Sequence, residues 1–397
     1  DVPELKSVLV VGSTLRKDHP LLAHRLRKAV AKGCQLNLVN PVDDDLLTRV
    51  TNKAIVAPSA MADVLSQVLK ALAETNNAQL PAALAQQIAS VTVDDAARGI
   101  AQSLAQAEPA AVFLGNLAQH HPQYSTLHAL GQEIAYLAEA SFGFLGEAAN
   151  SVGGYLAGAV PVPVNAKAKQ GMNARQMIEI PRKAYVLLGV EPELDCHDGA
   201  MALNAMYQAD FVVALSTYRH RAADYADVLL PIAPFTETSG TFVNTEGRVQ
   251  TFNGVVNPLG DARPAWKVLR VLGNLLGAAG FDYESAEQVR MEMVSGDGAD
   301  TSAWLNNRIE NSAMNLAPAA SGIERIGEVP IYQADAIVRR APSLQNTRDA
   351  APPVAWMRGV LLERLGIKAG DMVRLIQGGG EATIMAGRED RLPDNCI

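Results

Sequence analysis

The chain has few of the residues on which several classes of protein depend. Its 397 residues include three cysteines, Cys34, Cys196 and Cys396, and no CxxC pair. Cysteines so few and so far apart argue against a disulfide framework and exclude a local iron–sulfur or zinc motif within the chain. Aromatic residues make up 5%, too few for the stacking platforms that bind single-stranded nucleic acid.

Positive charge is also scarce. The formal net charge is -8 and the sequence pI is about 5.5. Nucleic-acid binding requires a basic face, so the composition argues against a polyanionic partner. No apolar run reaches the ~18 residues that a membrane span requires. The first residues, Asp-Val-Pro, lack the basic region of a signal peptide, so we expect neither a membrane span nor a secretion signal.

Complete catalytic motifs and internal repeats are missing as well. Gly12-Ser13 lacks the remainder of a GxGxxG motif and is predicted to be a plain strand-to-helix turn. Ser216-Thr217 and Ser239-Gly240 lack the GxSxG context of a nucleophile elbow. No repeat of fixed period is evident. The chain begins without Met and stops soon after a strand-rich region, so we expect a fragment of a longer protein at both ends.

What the chain does contain is a regular alternation of buried strands and amphipathic helices. Strands at 5–12 and 36–39 enclose a helix at 20–31, which predicts a βαβ unit and hence a parallel sheet. The alternation continues, with further strands at 54–57, 111–114, 184–189, 211–215 and 228–230, and helices at 60–73, 94–107, 124–140, 200–207, 264–277 and 284–294. This pattern predicts an α/β fold with doubly wound, Rossmann-like parallel sheets.

Some stretches depart from this alternation. Residues 75–87 are predicted to form a polar surface excursion, and residues 143–163 a Gly-rich, packed loop. Near residue 331 the pattern changes, and short strands at 373–376 and 382–385 predict the start of a small C-terminal β-rich domain. The predicted domains are a first α/β part at 1–58, a main α/β domain at 59–330 and a truncated β-rich domain at 331–397.

One stretch, ADVLLPIAPFTETSGTFVNTEGRVQ at 226–250, combines a buried strand with a long polar loop. The loop, Phe235 to Arg248, has hairpin character, with turns at Gly240 and Gly247. Open α/β sheets bind ligands in loops at the carboxyl ends of their strands. The stretch is therefore either a binding loop or the remnant of one.

Two clusters that contain histidine are candidate sites. His120 and His121 could bind a metal or line a polar site, but sequence neighbours point in different directions and no carboxylate lies at a ligand spacing, so surface or loop histidines are favoured. Cys196, His197 and Asp198 have the composition of a catalytic triad. Real triads are assembled from distant positions, so an ordinary loop is favoured here.

Two charged clusters are further candidates. Asp43, Asp44 and Asp45 could attract Mg²⁺, although an exposed acidic turn is favoured. Arg339 and Arg340 are predicted to be a solvated charge pair, with contact to an acidic partner or another subunit as the alternative. The residues alone therefore identify no catalytic set.

The stretch 226–250 resembles the molybdopterin oxidoreductase superfamily. The matching residues there are Asp227, Leu230-Pro231, Glu237, Gly240-Thr241, Asn244 and Glu246-Gly247-Arg248. Matches elsewhere are Val11-Gly12-Ser13 with His19-Pro20, Gly115-Asn116 and Gly189-Val190-Glu191-Pro192. Within the superfamily, LVVGSTLRKDHPLLAHRLRKA and IYQADAIVRRAPSLQNT are similar to the large iron–sulfur subunits of bacterial NADH:quinone oxidoreductase, respiratory complex I.

The resemblance implies a fold of the formate dehydrogenase/DMSO reductase type and a structural role. Where superfamily enzymes commonly have Asp-Pro-Arg, which helps to bind the guanine dinucleotide, this chain has Asn40-Pro41-Val42, without the carboxylate and the cation. The resemblance therefore implies no catalytic, cofactor-binding or metal residue in this region, with the iron–sulfur clusters in an N-terminal part before residue 1. It implies support of NADH-to-quinone electron transfer, contact with other peripheral-arm subunits, and a place on the cytoplasmic face of the plasma membrane.

Two alternatives stay open. The chain could be part of an oxidoreductase that binds a molybdopterin guanine dinucleotide cofactor, through candidates Gly12, Ser13, Asn116, Thr238 and Asn244. It could instead be a module whose acidic surface docks basic partners.

Overall fold

The structure is a computed structural model that describes residues 2–161, 171–293, 305–309, 314, 316, 318, 320–327 and 329–397. The chain forms two compact units, which are described separately. Unit 1 comprises Asp1–Glu147, Asn307–Ile331 and Ala351–Ile397, and unit 2 comprises Ala148–Asn306 and Tyr332–Ala350.

Unit 1 contains a parallel sheet with the strand order β3-β2-β1-β4-β5. Its strands are β1 (Ser7–Val11), β2 (Gln35–Asn40), β3 (Asn52–Ile55), β4 (Ala110–Leu114) and β5 (Ser141–Phe144). The winding direction reverses between β1 and β4, and at such a switch point a crevice opens at the carboxyl ends of the strands. The predicted doubly wound fold is confirmed. Strands from both sides of residue 58 join this sheet, and the predicted domain limits at 58 and 330 stay predictions.

Helices cover both faces of this sheet because successive residues of β1 point to opposite sides. Leu9 and Val11 contact one buried cluster, and Val8 and Val10 the other. The helices are α1 (Leu15–Asp18), α2 (Pro20–Ala31), α3 (Met61–Asn76), α4 (Ala82–Ile88), α5 (Asp95–Ala105), α6 (Asn116–Gln119) and α7 (Tyr124–Leu137).

The segment predicted as a polar surface excursion at 75–87 is largely exposed, and its second half is helical. Helix α4 begins at Ala82, and its Leu84 and Ile88 are buried in the cluster that includes α3 and α5. These two apolar residues are four positions apart, so they lie on the same face of a helix. Burial of that face explains why this polar, Ala-rich segment is helical.

Unit 2 is built on a second parallel sheet, in the order β6-β7-β8. Its strands are β6 (Ala184–Leu188), β7 (Phe211–Ser216) and β8 (Val228–Pro231), and a separate antiparallel hairpin is formed by β9 (Gly240–Val243) and β10 (Val249–Phe252). The helices are α8 (Ser151–Leu156), α9 (Ala174–Glu179), α10 (Pro192–Asp195), α11 (Gly199–Gln208), α12 (Ala265–Leu275), α13 (Ala286–Met293), α14 (Ala336–Arg339) and α15 (Pro342–Gln345).

The prediction of a loop at 143–163 is wrong for two parts of this range, because β5 extends to Phe144 and helix α8 spans Ser151–Leu156. Residues 162 and 163 of that prediction, and the predicted helix end at residue 294, lie outside the described residues.

The C-terminal part of unit 1 forms a small sheet, as the sequence predicts. Its strands are β11 (Val354–Met357), β12 (Met372–Gln377) and β13 (Gly380–Arg388), and helix α16 (Gly359–Leu365) follows β11 in the chain. Strand β13 pairs parallel with β11 and antiparallel with β12. In the part of the chain that the structure describes, no helix has the length and apolar character needed to cross a membrane.

Candidate functional site

Two glycines shape the crevice between β1 and β4. Gly12 has φ +59, and its N–H donates to the Val39 carbonyl oxygen at 2.9 Å. A Cβ atom at Gly12 would lie 2.6 Å from the backbone nitrogen of Ala118, and one at Gly115 would lie 2.4 Å from Cβ of Ser13. The backbone segments that follow the two strands are therefore in close contact, with no room for a side chain at either glycine.

Asn40, the last residue of β2, holds this edge together. It is 3% exposed. Its Oδ1 accepts from the Ser13 N–H at 2.8 Å, and its Nδ2 donates to the Val42 carbonyl oxygen at 2.7 Å. An aspartate at this position would have no donor for the Val42 carbonyl. Asparagine therefore serves the fold here by joining the turn after β1 to the turn after β2.

Three buried polar atoms at the same edge have no hydrogen-bond partner among the described residues. They are Ser13 Oγ, Asn116 Oδ1 and His19 Nδ1. The other ring nitrogen of His19 lies 2.8 Å from the Gly146 carbonyl oxygen. Buried polar atoms are usually paired, so orphaned ones mark a place where water or a small polar ligand can bind.

The donors at this crevice do not fit an anionic dinucleotide. Phosphates at such an edge are bound by free backbone N–H groups at the start of a helix and by cations. Here the N–H groups of Gly12 and Ser13 both donate to protein acceptors, and Arg16 donates to the Asp45 carbonyl oxygen at 2.5 Å. The pyrophosphate of a molybdopterin guanine dinucleotide, the cofactor of the alternative reading, would lack these donors.

The two adjacent histidines contact different neighbours, as the sequence predicts. His120 Nε2 lies 3.0 Å from the Glu147 carboxylate. His121 Nδ1 accepts from the Gln123 N–H at 3.0 Å, so its Nε2 carries the proton and donates to the Pro58 carbonyl oxygen at 3.0 Å. With both ring nitrogens engaged, His121 has no lone pair available for a metal.

We expect the pKa values of these two imidazoles to be shifted in opposite directions. The hydrogen bond to Glu147 raises the pKa of His120 above its ordinary value of 6.5. Burial lowers the pKa of His121, and likewise that of His128, whose Nε2 lies 2.7 Å from the Asn307 carbonyl oxygen. An NMR titration of the imidazole signals would measure all three. Glu147→Gln should shift His120 toward its ordinary pKa and leave His121 unchanged.

The same shifts fix the sign of the pH dependence of stability. His121 and His128 bind protons more readily in the unfolded chain, so their contribution to the free energy of unfolding is fully present above about 6.5 and is lost as the pH falls from there through their lowered folded pKa values. The contribution of His120 is fully present below about 6.5 and is lost as the pH rises through its raised folded pKa. A wild-type pKa of His120 below that of His121 would contradict this assignment.

In unit 2, the polar loop predicted after β8 is the β9–β10 hairpin. Asn244 Oδ1 accepts from the backbone N–H groups of Glu246 and Arg248 at 3.0 and 2.9 Å. Gly247, at φ +79, donates its N–H to the Asn244 carbonyl oxygen at 2.9 Å. The predicted hairpin and its turn at Gly247 are confirmed, with Asn244 forming the turn, but Gly240, predicted at a turn, begins β9 and pairs with Phe252.

Thr238 lines a cavity of about 540 Å³ beside this hairpin. Its hydroxyl donates to the Ser239 carbonyl oxygen at 3.1 Å. The cavity is lined by two cations, Arg263 and Lys267, and by three carboxylates, which are those of Glu237, Glu284 and Glu287. The carboxylates outnumber the cations, so this lining does not select a phosphate.

The carboxyl edge of the second sheet carries buried ion pairs. Glu191, which follows β6, is 3% exposed. Arg340 donates to both of its oxygens, from Nη1 at 2.7 Å and Nη2 at 3.1 Å, and this contact raises the pKa of Arg340. The guanidinium also lies 4.9 Å from the ring centre of Tyr218. Arg339, with a side chain 7% exposed, donates to Asp195.

The prediction that Arg339 and Arg340 form a solvated charge pair is wrong. Glu191 and Asp195 neutralise them within unit 2, although they lie about 150 positions earlier in the sequence. We call these four residues the arginine clip. Glu191 is part of the matched Gly-Val-Glu-Pro stretch, and its position just after a predicted strand was the one signal that could have identified it.

One potential metal-binding group overlaps the clip. Glu191, Glu193 and His220 each offer one ligand atom, and these atoms lie within 4.8 Å of one another. However, Arg340 already occupies both oxygens of Glu191, and the Tyr225 hydroxyl donates to Glu193 at 3.2 Å. A cation would have to displace a guanidinium from a buried carboxylate, so the geometry does not favour a metal.

The Cys196-His197-Asp198 cluster does not form a triad. Asp198 is the N-cap of α11 and accepts from the Met201 N–H at 2.8 Å. Burial raises the pKa of the Cys196 thiol, which disfavours the nucleophilic thiolate. The ordinary loop that the sequence favours is confirmed.

The three carboxylates of the acidic turn after β2 have separate partners. Asp43 accepts from Lys53 at 2.5 Å, and Asp44 lies 3.9 Å from Arg391. Asp45 accepts the backbone N–H of Leu47 at 2.9 Å. Each of these carboxylates has its own partner, and the three do not converge on one point.

Two parallel sheets, one of them doubly wound with a crevice at its switch point, define an α/β protein of the class that binds ligands at strand ends. The sequence profile of one such family, molybdopterin oxidoreductase, matches residues 1–275. The chain therefore belongs to the molybdopterin oxidoreductase family.

Individual relatives match shorter segments. The formate dehydrogenase-like protein YrhE of Bacillus subtilis is 35% identical over 131 residues, which are 32% of this chain and 13% of that protein. The mitochondrial NADH-ubiquinone oxidoreductase 78 kDa subunit of Candida albicans is 43% identical over 83 residues, 21% of this chain and 11% of that protein. The matches thus span about a tenth of each relative.

A solved structure extends the likeness to the whole chain. Acetylene hydratase from Pelobacter acetylenicus has a TM-score of 0.70 and 13% sequence identity, over 100% of this chain and 70% of that chain. At this identity the likeness shows the fold alone, and it agrees with the fold predicted from the sequence.

Proposed function

We propose that this chain is a cofactor-free region of the large iron–sulfur subunit of a bacterial NADH:quinone oxidoreductase. Its role is structural: it supports NADH-to-quinone electron transfer carried by iron–sulfur clusters in another part of that subunit. It contacts other peripheral-arm subunits at the cytoplasmic face of the plasma membrane. The similarity to the 78 kDa subunit and the stretch IYQADAIVRRAPSLQNT support this proposal.

The observation that carries the proposal is the engagement of Asn40. Its amide joins two turns of the fold at the place where a dinucleotide would require a carboxylate and a neighbouring cation. Residue 42 is a valine and supplies neither charge. A structural role requires this edge to be stable without a ligand, and the buried Asn40 hydrogen bonds provide that stability.

The second candidate function is binding of a molybdopterin guanine dinucleotide, as in a formate dehydrogenase-like enzyme. The orphaned Ser13 Oγ and Asn116 Oδ1 favour it, because a bound ligand would pair them. In that case Ser13 and Asn116 would contact the dinucleotide part, and the cofactor would supply the redox chemistry at molybdenum. The engaged N–H groups of Gly12 and Ser13 weigh against it.

Cofactor content separates the two candidates. We expect the chain, purified from a bacterium that makes the molybdenum cofactor, to contain no stoichiometric molybdenum or iron and to release no fluorescent pterin on heating. A formate dehydrogenase-like protein prepared in parallel from the same host provides the positive control. Stoichiometric molybdenum together with fluorescent pterin would overturn the proposal in favour of the second candidate.

A further inference from the structure

We propose that the segment Tyr332–Ala350, here called the strap, is a built-in occupant of the ligand edge of the second sheet. In this proposal the strap, through the arginine clip, takes the place that a nucleoside diphosphate would occupy. The inference rests on the proposed cofactor-free role and explains how unit 2 fulfils it. The strap belongs to unit 2, although the residues on either side of it belong to unit 1.

The strap has its own internal hydrogen bonds. Asp335 caps α14 by accepting from the N–H groups of Ile337 and Val338 at 2.8 and 3.0 Å. Gln345 Nε2 donates to the carbonyl oxygens of Tyr332 and Val338 at 2.9 and 2.8 Å. These bonds fix the two short helices against each other, so the adjacent arginines are presented from an ordered segment.

The acceptor side of the clip is also ordered. Gly189, at φ +63, donates its N–H to the Leu215 carbonyl oxygen at 2.9 Å and so turns the chain after β6. The Glu191 N–H donates to Asp195 Oδ2 at 2.7 Å. Both carboxylates of the clip are thereby held at the carboxyl edge of the sheet, where Arg339 and Arg340 meet them.

Open parallel sheets bind nucleotides beyond the carboxyl ends of their strands, where an acidic residue accepts hydrogen bonds from the ribose hydroxyls. Glu191 has that position, but both its oxygens accept from Arg340. A nucleotide could reach Glu191 only by displacing the guanidinium and leaving it without its carboxylate. The strap therefore closes the site to nucleotides.

Limited trypsin digestion tests whether the strap is held in this way. The bonds after Arg339 and Arg340 should resist cleavage in the wild-type chain, while the bond after Arg182, in an exposed loop, is cut. Glu191→Gln removes the charge that holds Arg340. It should speed cleavage after Arg339 and Arg340 at least about tenfold, because the local opening becomes more favourable.

The matched control is Glu179→Gln, which removes a carboxylate from an exposed i,i+4 pair with Arg175 in the same unit. It should leave cleavage of the strap at the wild-type rate. Should Glu191→Gln fail to fold, Asp195→Asn releases Arg339 with one neutral, isosteric change and tests the same clip. Equal cleavage of the strap in the wild-type chain and in these clip variants would overturn the proposal.

Competition tests the occupant role, with ADP and GDP as probes. The double variant Arg339→Gln/Arg340→Gln leaves Glu191 available to hydroxyl donors, so by calorimetry it should bind at least one probe at least about tenfold more tightly than the wild type. Equal binding, or none in the variant, would overturn the occupant role. If the wild-type chain released fluorescent pterin while its strap resisted trypsin, the proposed cofactor-free function would be wrong. The ion pairs of the arginine clip would still be supported.

Discussion

Replacing Glu191 by alanine should lower the free energy of unfolding by up to about 3–5 kcal/mol, the cost of removing one partner from a buried ion pair, with water at the 31% exposed Arg340 side chain reducing it. Glu191 is 3% exposed, and its carboxylate accepts hydrogen bonds from Nη1 and Nη2 of Arg340. Its loss leaves Arg340 without its bidentate acceptor and Arg339, 7% exposed, with the Asp195 carboxylate and the Gln333 carbonyl oxygen as acceptors. We expect the penalty to come from these uncompensated cations rather than from lost packing.

The measurement has to report on unit 2 by itself, because a chain of two units need not unfold in one step. Hydrogen exchange of the β6 and β7 amides gives the local free energy of opening. Glu179→Ala, which removes the exposed partner of Arg175, is the control and should change this free energy by a small fraction of the Glu191 effect.

A double variant separates the two sources of the loss. Glu191→Met/Arg340→Met removes both charges and keeps side chains of considerable volume, so it should be clearly more stable than Glu191→Ala. If the double variant is instead less stable than Glu191→Ala, the loss does not arise from an unpaired buried charge, and the interpretation of the clip is wrong.

Local patterns were sufficient to predict most of the elements. The helix predicted at 20–31 is observed as Pro20–Ala31, because Pro initiates a helix readily and Gly33 follows its end. The helix predicted at 94–107 is observed as Asp95–Ala105, with Asp94 as its N-cap that accepts from the Ala97 N–H. These signals depend on residues a few positions apart, and the sequence displays them directly.

The arginine clip could not be predicted in the same way. Arg340 and Glu191 are 149 positions apart, and no spacing rule connects them. Each residue type is usually exposed, so composition favoured a solvated pair. The structural role of Asn40 could not be predicted for a similar reason. Its Asn-Pro-Val context indicated which groups a ligand would lack, but its hydrogen bonds to Ser13 and Val42 form only in the folded chain.

Gly12→Ala should be the most damaging of three alanine substitutions at glycines in unit 1. Gly12 combines φ +59 with a neighbouring backbone nitrogen 2.6 Å from the would-be Cβ, that of Ala118. A positive φ costs an alanine about 1–2 kcal/mol, and overpacking costs about 1–3 kcal/mol. The two costs should add, since a shift that relieves the contact would also have to move the Ala118 backbone.

The other two glycines separate these costs. Gly33 has φ +97 and open space around its would-be Cβ, so Gly33→Ala tests the backbone conformation alone. Gly115 has an ordinary φ of -88, but its Cβ would lie 2.4 Å from Ser13 Cβ and 2.5 Å from the Gly12 carbonyl oxygen, so Gly115→Ala tests the contact alone.

Hydrogen exchange of the β1 and β4 amides should then rank the loss in free energy of opening as Gly12→Ala, Gly115→Ala and Gly33→Ala, from largest to smallest. A ligand-binding crevice widened for a dinucleotide would tolerate a methyl group at residue 115, whereas an edge closed on itself would not. A loss at Gly115→Ala no larger than that at Gly33→Ala would therefore contradict both the close contact of the two segments and the view that this crevice serves the fold.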